Sequence, residues 1–256
     1  MALEQTRPPS SADSAPNPAE FIYSGRRYLE VIKAAKHYNE LLWTFVEREV
    51  KPCDDVLDFG AGQGTLALRL VERARSVTCV EPDAEFQSAL RGGGLPCASD
   101  LSGIPQDSVD FIYALNVLEH IDDDQGILRD FHATLRDGGR LVVYVPAFLC
   151  LYNSMDKASG HVRRYRRRQV EQLLRATGFT VERVEYVDSL GFAATLLWKL
   201  FDDGSGSISS GPIYFYDRYL FWLSRVLDLA LHNLVGKNVL ALAAKGQSAN
   251  RSSSRQ

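Results

Sequence analysis

The chain has 256 residues, of which 45% are hydrophobic and 24% are charged, and its formal net charge is −3. This balance is typical of a folded globular protein and excludes a fibrous or wholly disordered chain. Because nucleic-acid-binding domains are usually basic, we expect no nucleic-acid partner.

The first residues are rich in Pro, Ser, Ala and acidic side chains, and they lack the basic and apolar stretches of a signal peptide. We therefore predict that residues 1–22 are disordered. The four cysteines form no CxxC pair and mostly sit in apolar runs, as buried reduced thiols do. Together these features predict a cytoplasmic protein.

Alternating strand and helix patterns follow along the chain. Apolar side chains at helical spacing predict one or two helices within residues 26–50. A strand at 55–59 leads through a glycine turn into a helix, and another helix is predicted at 117–135. The remaining strands are predicted at 76–81, 96–99, 108–114, 140–146, 180–187 and 239–244.

This alternation predicts one α/β domain over residues 23–245, built on a seven-stranded, mostly parallel, Rossmann-like sheet. Two apolar, aromatic helices form an insertion at 189–235, before the last strand. The Ser/Arg-rich residues 246–256 predict a disordered tail. Ligands on such sheets bind at the carboxyl ends of the strands, where the glycine turn lies.

The turn after the first strand contains Gly60, Ala61, Gly62 and Gly64. Glycines there allow the backbone to turn sharply and to approach a ligand closely. Residues 62–67 also satisfy a relaxed dinucleotide pattern, GxGxxA, so a nicotinamide or flavin site competes with other cofactors at this point.

Carboxylates stand at or just after the ends of three successive predicted strands, at Asp58, Glu81 and Asp100. Asp58 would face a pyrophosphate across a low-dielectric gap, whereas a cofactor with a cationic amino-acid part tolerates it. Glu81, next to Pro82, can accept hydrogen bonds from ribose hydroxyls, and Asp100 from an adenine amine. Each of the three also has an ordinary structural explanation, as a turn or helix-start carboxylate.

In order and spacing, three motifs resemble the class I methyltransferase family over residues 25–187: VLDFGAGQG at 56–64, VEPD at 80–83 and DFIYALNVLEHI at 110–121. The resemblance implies S-adenosylmethionine as the cofactor. It places the methionine part at the glycines and Asp58, the ribose at Glu81, the adenine at Asp100 with Leu101, and the region near the sulfonium at Asn116.

Some methyltransferases bind a metal through a Glu-x-x-Glu-His pattern at the end of the fourth strand. Here Asn116 stands in place of the first glutamate, before Glu119 and His120. We therefore expect no metal, although this pair alone leaves a weak magnesium site open.

The segment 156–165, DKASGHVRRY, resembles a subgroup often associated with glycan and secondary-metabolite pathways. A hydroxyl acceptor must lose its proton, and a histidine can take it near neutral pH, so His161 is the candidate base. Asp156 is the candidate group that orients it, and Tyr165 a candidate acceptor contact. A structural role for His161, in a loop that closes over the cofactor, explains the residue equally well.

The predicted function is O-methylation of a hydroxyl on a sugar, glycan or secondary metabolite. Methylation of nitrogen or carbon and an NAD(P)-dependent oxidoreductase remain the alternatives. Five arginines between 163 and 168 suit an anionic or lipid-linked acceptor or pair with nearby acids. The apolar insertion at 189–235 suits core or homodimer packing, a lid, or peripheral membrane contact.

Overall fold

A computed structural model describes residues 31–206 and 210–247. The predicted disorder of residues 1–22, and of 248–256 within the predicted tail, lies outside the described residues, as does the start of the predicted helical segment at 26–30.

The centre of the fold is one seven-stranded sheet in the order β3-β2-β1-β4-β5-β7-β6. Six strands run parallel, and β7 runs antiparallel between β5 and β6. The predicted mostly parallel α/β sheet is thus confirmed. The strands are β1 Asp55–Phe59, β2 Ser76–Val80, β3 Cys97–Ala98, β4 Val109–Leu115, β5 Leu135–Pro146, β6 Phe179–Val187 and β7 Asn238–Lys245.

After a helical stretch at residues 31–33, nine α-helices with both ends in the described part of the chain cover the sheet and its carboxyl edge. They are α1 Lys36–Glu47, α2 Thr65–Leu70, α3 Ala84–Gly92, α4 Asp124–Thr134, α5 Ser154–Ser159, α6 Arg167–Ala176, α7 Ser189–Lys199, α8 Ser210–Phe215 and α9 Phe221–Leu231. A π-helical turn, Tyr216–Leu220, joins α8 to α9, so the two form a nearly continuous helix.

The predicted helix at 117–135 is wrong in its first part. Leu118–His120 is a single 3₁₀ turn, and α4 starts only at Asp124. The side chain of Asp123 accepts the Gly126 N–H at 2.8 Å and so fixes the start of α4. The chain between β4 and α4 is therefore a loop at the carboxyl edge of the sheet, where it can carry functional side chains.

Neighbouring residues along the central strands pack into two different cores. On β1, Leu57 joins the core that includes Leu128 and Phe131 of α4. The preceding residue, Val56, joins the opposite core with Val46 of α1. Strands that are apolar on both faces are typical of a parallel sheet covered by helices on each side.

Polar side chains of the helix α8–α9 accept hydrogen bonds from backbone N–H groups at the N-termini of two other helices. Asp217 accepts the His37 and Tyr38 N–H groups of α1 at 3.1 and 2.9 Å. Asp228 accepts the N–H of Asp188, which precedes α7, and that of the first α7 residue, Ser189, at 3.0 and 2.8 Å. The insertion is thereby tied to the leading helix, because helix N-termini leave N–H groups that need acceptors.

All four cysteines lie in the described residues and are free thiols. Cys79 is buried and Cys97 is half-buried, whereas Cys53 and Cys150 are exposed. The expectation of buried thiols is therefore wrong for Cys53 and Cys150, which sit in loops at the surface.

Within residues 31–206 and 210–247, no helix combines the length and the apolar character needed to cross a membrane.

Candidate active site

The carboxyl ends of β1, β2 and β4 open into a cavity of about 920 Å³. Helix α1 and the insertion helices α7 to α9 contribute its outer wall. Most residues predicted to bind the cofactor line this cavity, namely Asp58, Gly60, Ala61, Gly62, Glu81, Pro82, Asp100, Leu101 and Asn116.

Gly60 and Gly64, both predicted to bind the cofactor, differ in what surrounds them. Gly60 lines the cavity with φ = +78°, and a β-carbon there would collide with the side chain of Val117. Gly64 does not line the cavity, and its β-carbon would instead collide with Leu90 on α3. Both glycines have a positive φ, +78° for Gly60 and +75° for Gly64, so another residue would be strained at either position, but only Gly60 lines the cavity.

Glu81 supports the glycine turn directly. Its Oε2 accepts the Gly62 N–H at 2.7 Å, and its Oε1 accepts the Asp83 N–H at 2.9 Å. Each carboxylate oxygen can accept a second hydrogen bond, so the same side chain can also receive ribose hydroxyls. Sequence reasoning anticipated only the second of these roles.

Asp58 is almost fully buried beneath the turn. This burial, with a smaller contribution from the neighbouring Glu81 carboxylate, raises the pKa of Asp58 to about 7. A cationic group placed between the two carboxylates would favour their ionised forms. The electrostatics of this edge therefore suit a ligand with a positive charge better than a pyrophosphate.

Asp100 and Leu101 lie at the rim of the cavity, just after β3. The side chain of Asp100 accepts the Ser102 N–H at 2.8 Å, and hydrogen bonds from Ser102 hold its pKa below the usual range. Because Asp100 is exposed, it can accept a further hydrogen bond from a ligand at the cavity mouth.

Asn116 directly follows β4 and has φ = +56°, a backbone conformation that is uncommon outside glycine. Its Nδ2 donates to the hydroxyl of Tyr38 at 3.2 Å, and its N–H donates to the Tyr144 carbonyl at 2.7 Å. Such strain is found where a surrounding structure holds a side chain in place for function. Asn116 is thus fixed between the sheet and α1.

His161 is held by a carboxylate at the cavity wall. Its Nδ1 lies 2.6 Å from Asp156 Oδ1, and Arg164 donates to both Asp156 oxygens at 2.9 Å. Burial alone would raise the pKa of Asp156, but these bonds from His161 and Arg164 hold it below its usual range. An ionised Asp156 can only accept, so Nδ1 carries the proton and Nε2 is the basic nitrogen of the neutral ring.

Glu119 lies beside this histidine, fully buried, with its Oε1 3.9 Å from His161 Nε2. Within the described residues neither of its carboxylate oxygens has a hydrogen-bond partner, and burial raises its pKa to about 8. The His120 ring meets the His161 ring edge to face at 4.7 Å, and burial lowers the pKa of His120 to about 4. Glu119, His120 and His161 offer ligand atoms within 4.8 Å of one another, a group that could hold a metal ion although the sequence predicts none.

The structure does not bring Tyr165 to the cavity. Tyr165 is buried, and its hydroxyl lies 3.0 Å from Asp124 Oδ2 and 3.2 Å from the Leu118 carbonyl. The arginine run is divided in the same region, since Arg163 pairs with Asp124 and Arg164 with Asp156. Both arginines therefore pair with nearby acids, which is the second of the two roles that the sequence allows for the arginine run.

Sequence reasoning missed several cavity residues, above all Tyr38, Asp188 and Lys237. Tyr38 comes from α1, and burial raises its pKa to about 12. Asp188 and Lys237 border the insertion, where the Lys237 N–H donates to the Asp188 carbonyl at 2.9 Å. Only the aromatic residue at helical spacing in α1 carried a signal, because the other two depend on how the insertion folds back.

Comparison with known proteins points to one family. The family model described as "Methyltransferase domain" matches residues 27–184. An uncharacterized methyltransferase of Mycobacterium bovis is 37% identical over 114 residues, which cover 42% of this chain and 43% of that relative. The chain thus spans less than half the length of this curated relative.

Solved structures share the fold. A SAM-dependent methyltransferase from Archaeoglobus fulgidus has a TM-score of 0.55 and 17% identity, covering 80% of this chain and 94% of its own. Phosphoethanolamine N-methyltransferase 2 of Haemonchus contortus, in complex with S-adenosyl-L-methionine, has a TM-score of 0.56 and 19% identity, covering 82% of this chain and 53% of its own. At these identities the likeness is one of fold.

Proposed function

The chain belongs to the methyltransferase-domain family, and from this membership we propose that it is an S-adenosylmethionine-dependent enzyme that methylates a hydroxyl group. The fold is that of its S-adenosylmethionine-dependent structural neighbours. The antiparallel β7 between β5 and β6 departs from the 3-2-1-4-5-6 order of a classic dinucleotide-binding sheet, which argues against the NAD(P) alternative.

The residues at the strand ends fit this cofactor. Buried Asp58 would neutralise the cationic methionine part beside Gly60, and Glu81 would receive the ribose hydroxyls while it holds Gly62 in place. Asp100 with Leu101 would contact the adenine at the rim. When bound, the cofactor would supply an electrophilic methyl group on a sulfonium, and Asn116 is the residue that we propose lies near it.

The observation that carries the choice of a hydroxyl acceptor is the Asp156–His161 pair at 2.6 Å in the cavity wall. Asp156 fixes the tautomer, so Nε2 accepts the proton of the hydroxyl as its oxygen is methylated. Asp156 then stabilises the resulting imidazolium, in the way that a carboxylate supports a general base. Arg164 is a positioning residue, because it holds Asp156 through two hydrogen bonds.

A sugar, glycan or secondary metabolite is the proposed acceptor class. Three features support it: the resemblance of the segment 156–165, a cavity that extends from the strand ends to the insertion, and the apolar side chains of Trp198, Phe215 and Leu220 at its outer wall. An acceptor with a polar, hydroxylated part at His161 and an apolar part at the insertion would fill both regions.

A methylation screen with paired variants tests this proposal. Purified protein is incubated with S-adenosylmethionine and a panel of sugars, glycolipids and phenolic metabolites, and products that gain one methylene in mass are identified. His161→Ala should lower the rate about 10²- to 10⁴-fold, because it removes the base. S-adenosylhomocysteine binding should stay unchanged.

His132→Ala is the matched control, since His132 lies outside the cavity lining and packs against Phe179. It should retain the rate. Full activity of the His161 variant would contradict the base assignment. Loss of activity on chelation would also contradict it, because an ion held by Glu119, His120 and His161 would occupy the nitrogen that must accept the proton.

A further inference from the structure

The helix α8–α9 exposes a continuous apolar stripe. Phe215, Tyr219, Trp222, Val226 and Leu229 follow one another at intervals of four and three residues, and each side chain is at least half exposed. This spacing places all five on one side of a helix. A water-facing helix normally presents polar residues on that side, so the stripe calls for an apolar environment.

The opposite side of the same helix is buried and carries three polar residues beside the apolar Phe221. Asp217, Ser224 and Asp228 are each no more than 5% exposed, at intervals of seven and four residues. Besides the two aspartate caps, Ser224 Oγ accepts the Leu190 N–H of α7 at 3.0 Å. The inward face is therefore fixed by hydrogen bonds, and the helix cannot rotate its apolar side inward without breaking them.

Helix α7 packs against α9 and carries further exposed apolar side chains. Leu196, Leu197, Leu200 and Phe201, at the end of α7 and just after it, are between 43% and 79% exposed. We call these four side chains, together with the stripe of five on α8–α9, the apolar face. Scattered exposed apolar residues need no explanation, but nine within two adjacent helices mark an interaction site.

We propose that the apolar face docks this protein on the surface of a lipid bilayer. Tyr219 and Trp222 carry the amphipathic rings that prefer the membrane–water boundary. The acidic residues within the two helices, Asp217 and Asp228, point inward, whereas Lys199 and Arg218 are exposed. Asp203, two positions after Phe201, is exposed as well, so acidic and basic side chains both border the apolar face, and its apolar side chains carry the contact with lipid.

The position of the cavity supports a bilayer rather than a second copy of the chain. Pro212 and Phe215 line the cavity and are also exposed, so the cavity reaches the surface at one end of the apolar face. A second copy packed there would close that end, whereas a bilayer can feed an acceptor into it. This step rests on the proposed function, and it assigns an acceptor with a hydroxylated head group and a long apolar chain.

Flotation of the full chain with lipid vesicles tests the docking. Vesicles of phosphatidylcholine and phosphatidylglycerol in equal amounts should carry the wild-type protein to the top of a density gradient. The double variant Trp222→Ser/Leu229→Ser should lose at least about tenfold in partitioning, since both side chains lose their apolar contact with lipid. Leu68→Ser/Val71→Ser is the matched control, because both residues are exposed on and after α2, and it should float as the wild type does.

Each outcome has one meaning. Failure of the wild type to float, or equal partitioning of the two double variants, overturns the docking. A stable dimer of the wild type that dissociates in the Trp222→Ser/Leu229→Ser variant also overturns it, by assigning the apolar face to a second copy. S-adenosylhomocysteine binding, measured on the same samples, reports on the proposed function separately, and all variants should retain it.

Discussion

Helices α6 and α9 are both amphipathic, yet they sit in the protein with opposite polarity. Helix α6 buries Val170 and Leu174 and turns arginines such as Arg168 to the surface. Helix α9 buries the polar Ser224 and Asp228 along with Phe221, and it exposes most of its apolar side chains. The comparison shows that an apolar stripe reveals the two faces of a helix without revealing which one faces inward.

The difference has a physical cause in what lies beneath each helix. Helix α6 covers the apolar surface of the sheet, where Phe179 and Tyr186 belong to the same core. Helix α9 lies over the start of α7, where backbone N–H groups need acceptors. Because an unpaired buried N–H costs about 1–3 kcal/mol, polar side chains are the stabilising choice at that position.

One substitution made on both helices gives the largest expected contrast. Leu174→Ala should lower the free energy of unfolding by about 3 kcal/mol, since Leu174 is fully buried and the change leaves a cavity. Leu229→Ala should change it by no more than about 0.5 kcal/mol, because Leu229 is 79% exposed. Urea unfolding of both variants measures this, and equal losses would show that α9 does not present this face to solvent.

Removing an acidic group from each helix should give the reverse order. Asp228→Ala leaves the buried N–H groups of Asp188 and Ser189 without their acceptor, so we expect a loss of about 2 kcal/mol. Glu171→Ala on α6 removes only an exposed pair with Arg175 and should cost less than about 0.5 kcal/mol. The same unfolding assay tests this, and a harmless Asp228→Ala would refute the capping role.

Two buried aspartates, Asp228 on α9 and Asp58 at the cofactor end of the sheet, also differ in what surrounds them. Asp228 accepts backbone N–H groups, whereas burial raises the pKa of Asp58 to about 7 from a usual 3.8. Between about pH 4 and pH 7, the folded, ligand-free protein therefore keeps a proton on Asp58 that the unfolded chain has already released. Its contribution to stability is complete below about pH 4 and is lost as the pH rises towards 7.

Binding of a cationic methionine part requires ionised Asp58, so affinity should change in the opposite direction with pH. The affinity for S-adenosylhomocysteine should be about tenfold weaker at pH 6 than at pH 8, because only the ionised fraction is competent. Titration calorimetry at the two pH values measures the ratio. Asp58→Asn is the control and should abolish the pH dependence. Equal wild-type affinities at the two pH values would show that Asp58 does not interact with the positive charge of the ligand.

The cap between the insertion and the leading helix gives the smallest expected effect. Asp217→Ala removes the acceptor of two N–H groups of α1 and should cost about 1 kcal/mol, as loss of a helix N-cap does. Asp203→Ala, at an exposed loop position, should be neutral. Thermal unfolding of the two variants measures the difference, and equal midpoints would show that Asp217 does not support α1.

The sheet and the strand-end residues were predictable from sequence because both depend on local pattern. Runs such as Val142 to Val145 indicate buried parallel strands, and the acids at the carboxyl ends of β1 and β2 follow from position alone. The sequence also named Asp156 as the group that orients His161, and the two side chains meet because only the end of α5 and Gly160 separate them.

The remaining features depend on contacts between distant segments. The cap that Asp217 forms on α1 joins residues about 180 positions apart, and no local pattern announces it. Gly64 lies against Leu90 of α3, and the Tyr165 hydroxyl lies beside Asp124, so these two residues predicted for the site do not line the cavity. Likewise, the position of the buried Glu119 carboxylate beside His161 depends on the conformation of the loop after β4, which no local pattern predicts.

A crystal structure with S-adenosylhomocysteine tests the central claim most directly. The account predicts the methionine part beside Asp58 and Gly60, the ribose at Glu81 and the adenine at Asp100, with the sulfur facing Asn116. A cleft that stays empty at saturating ligand, or one filled by a pyrophosphate-containing cofactor, would contradict it.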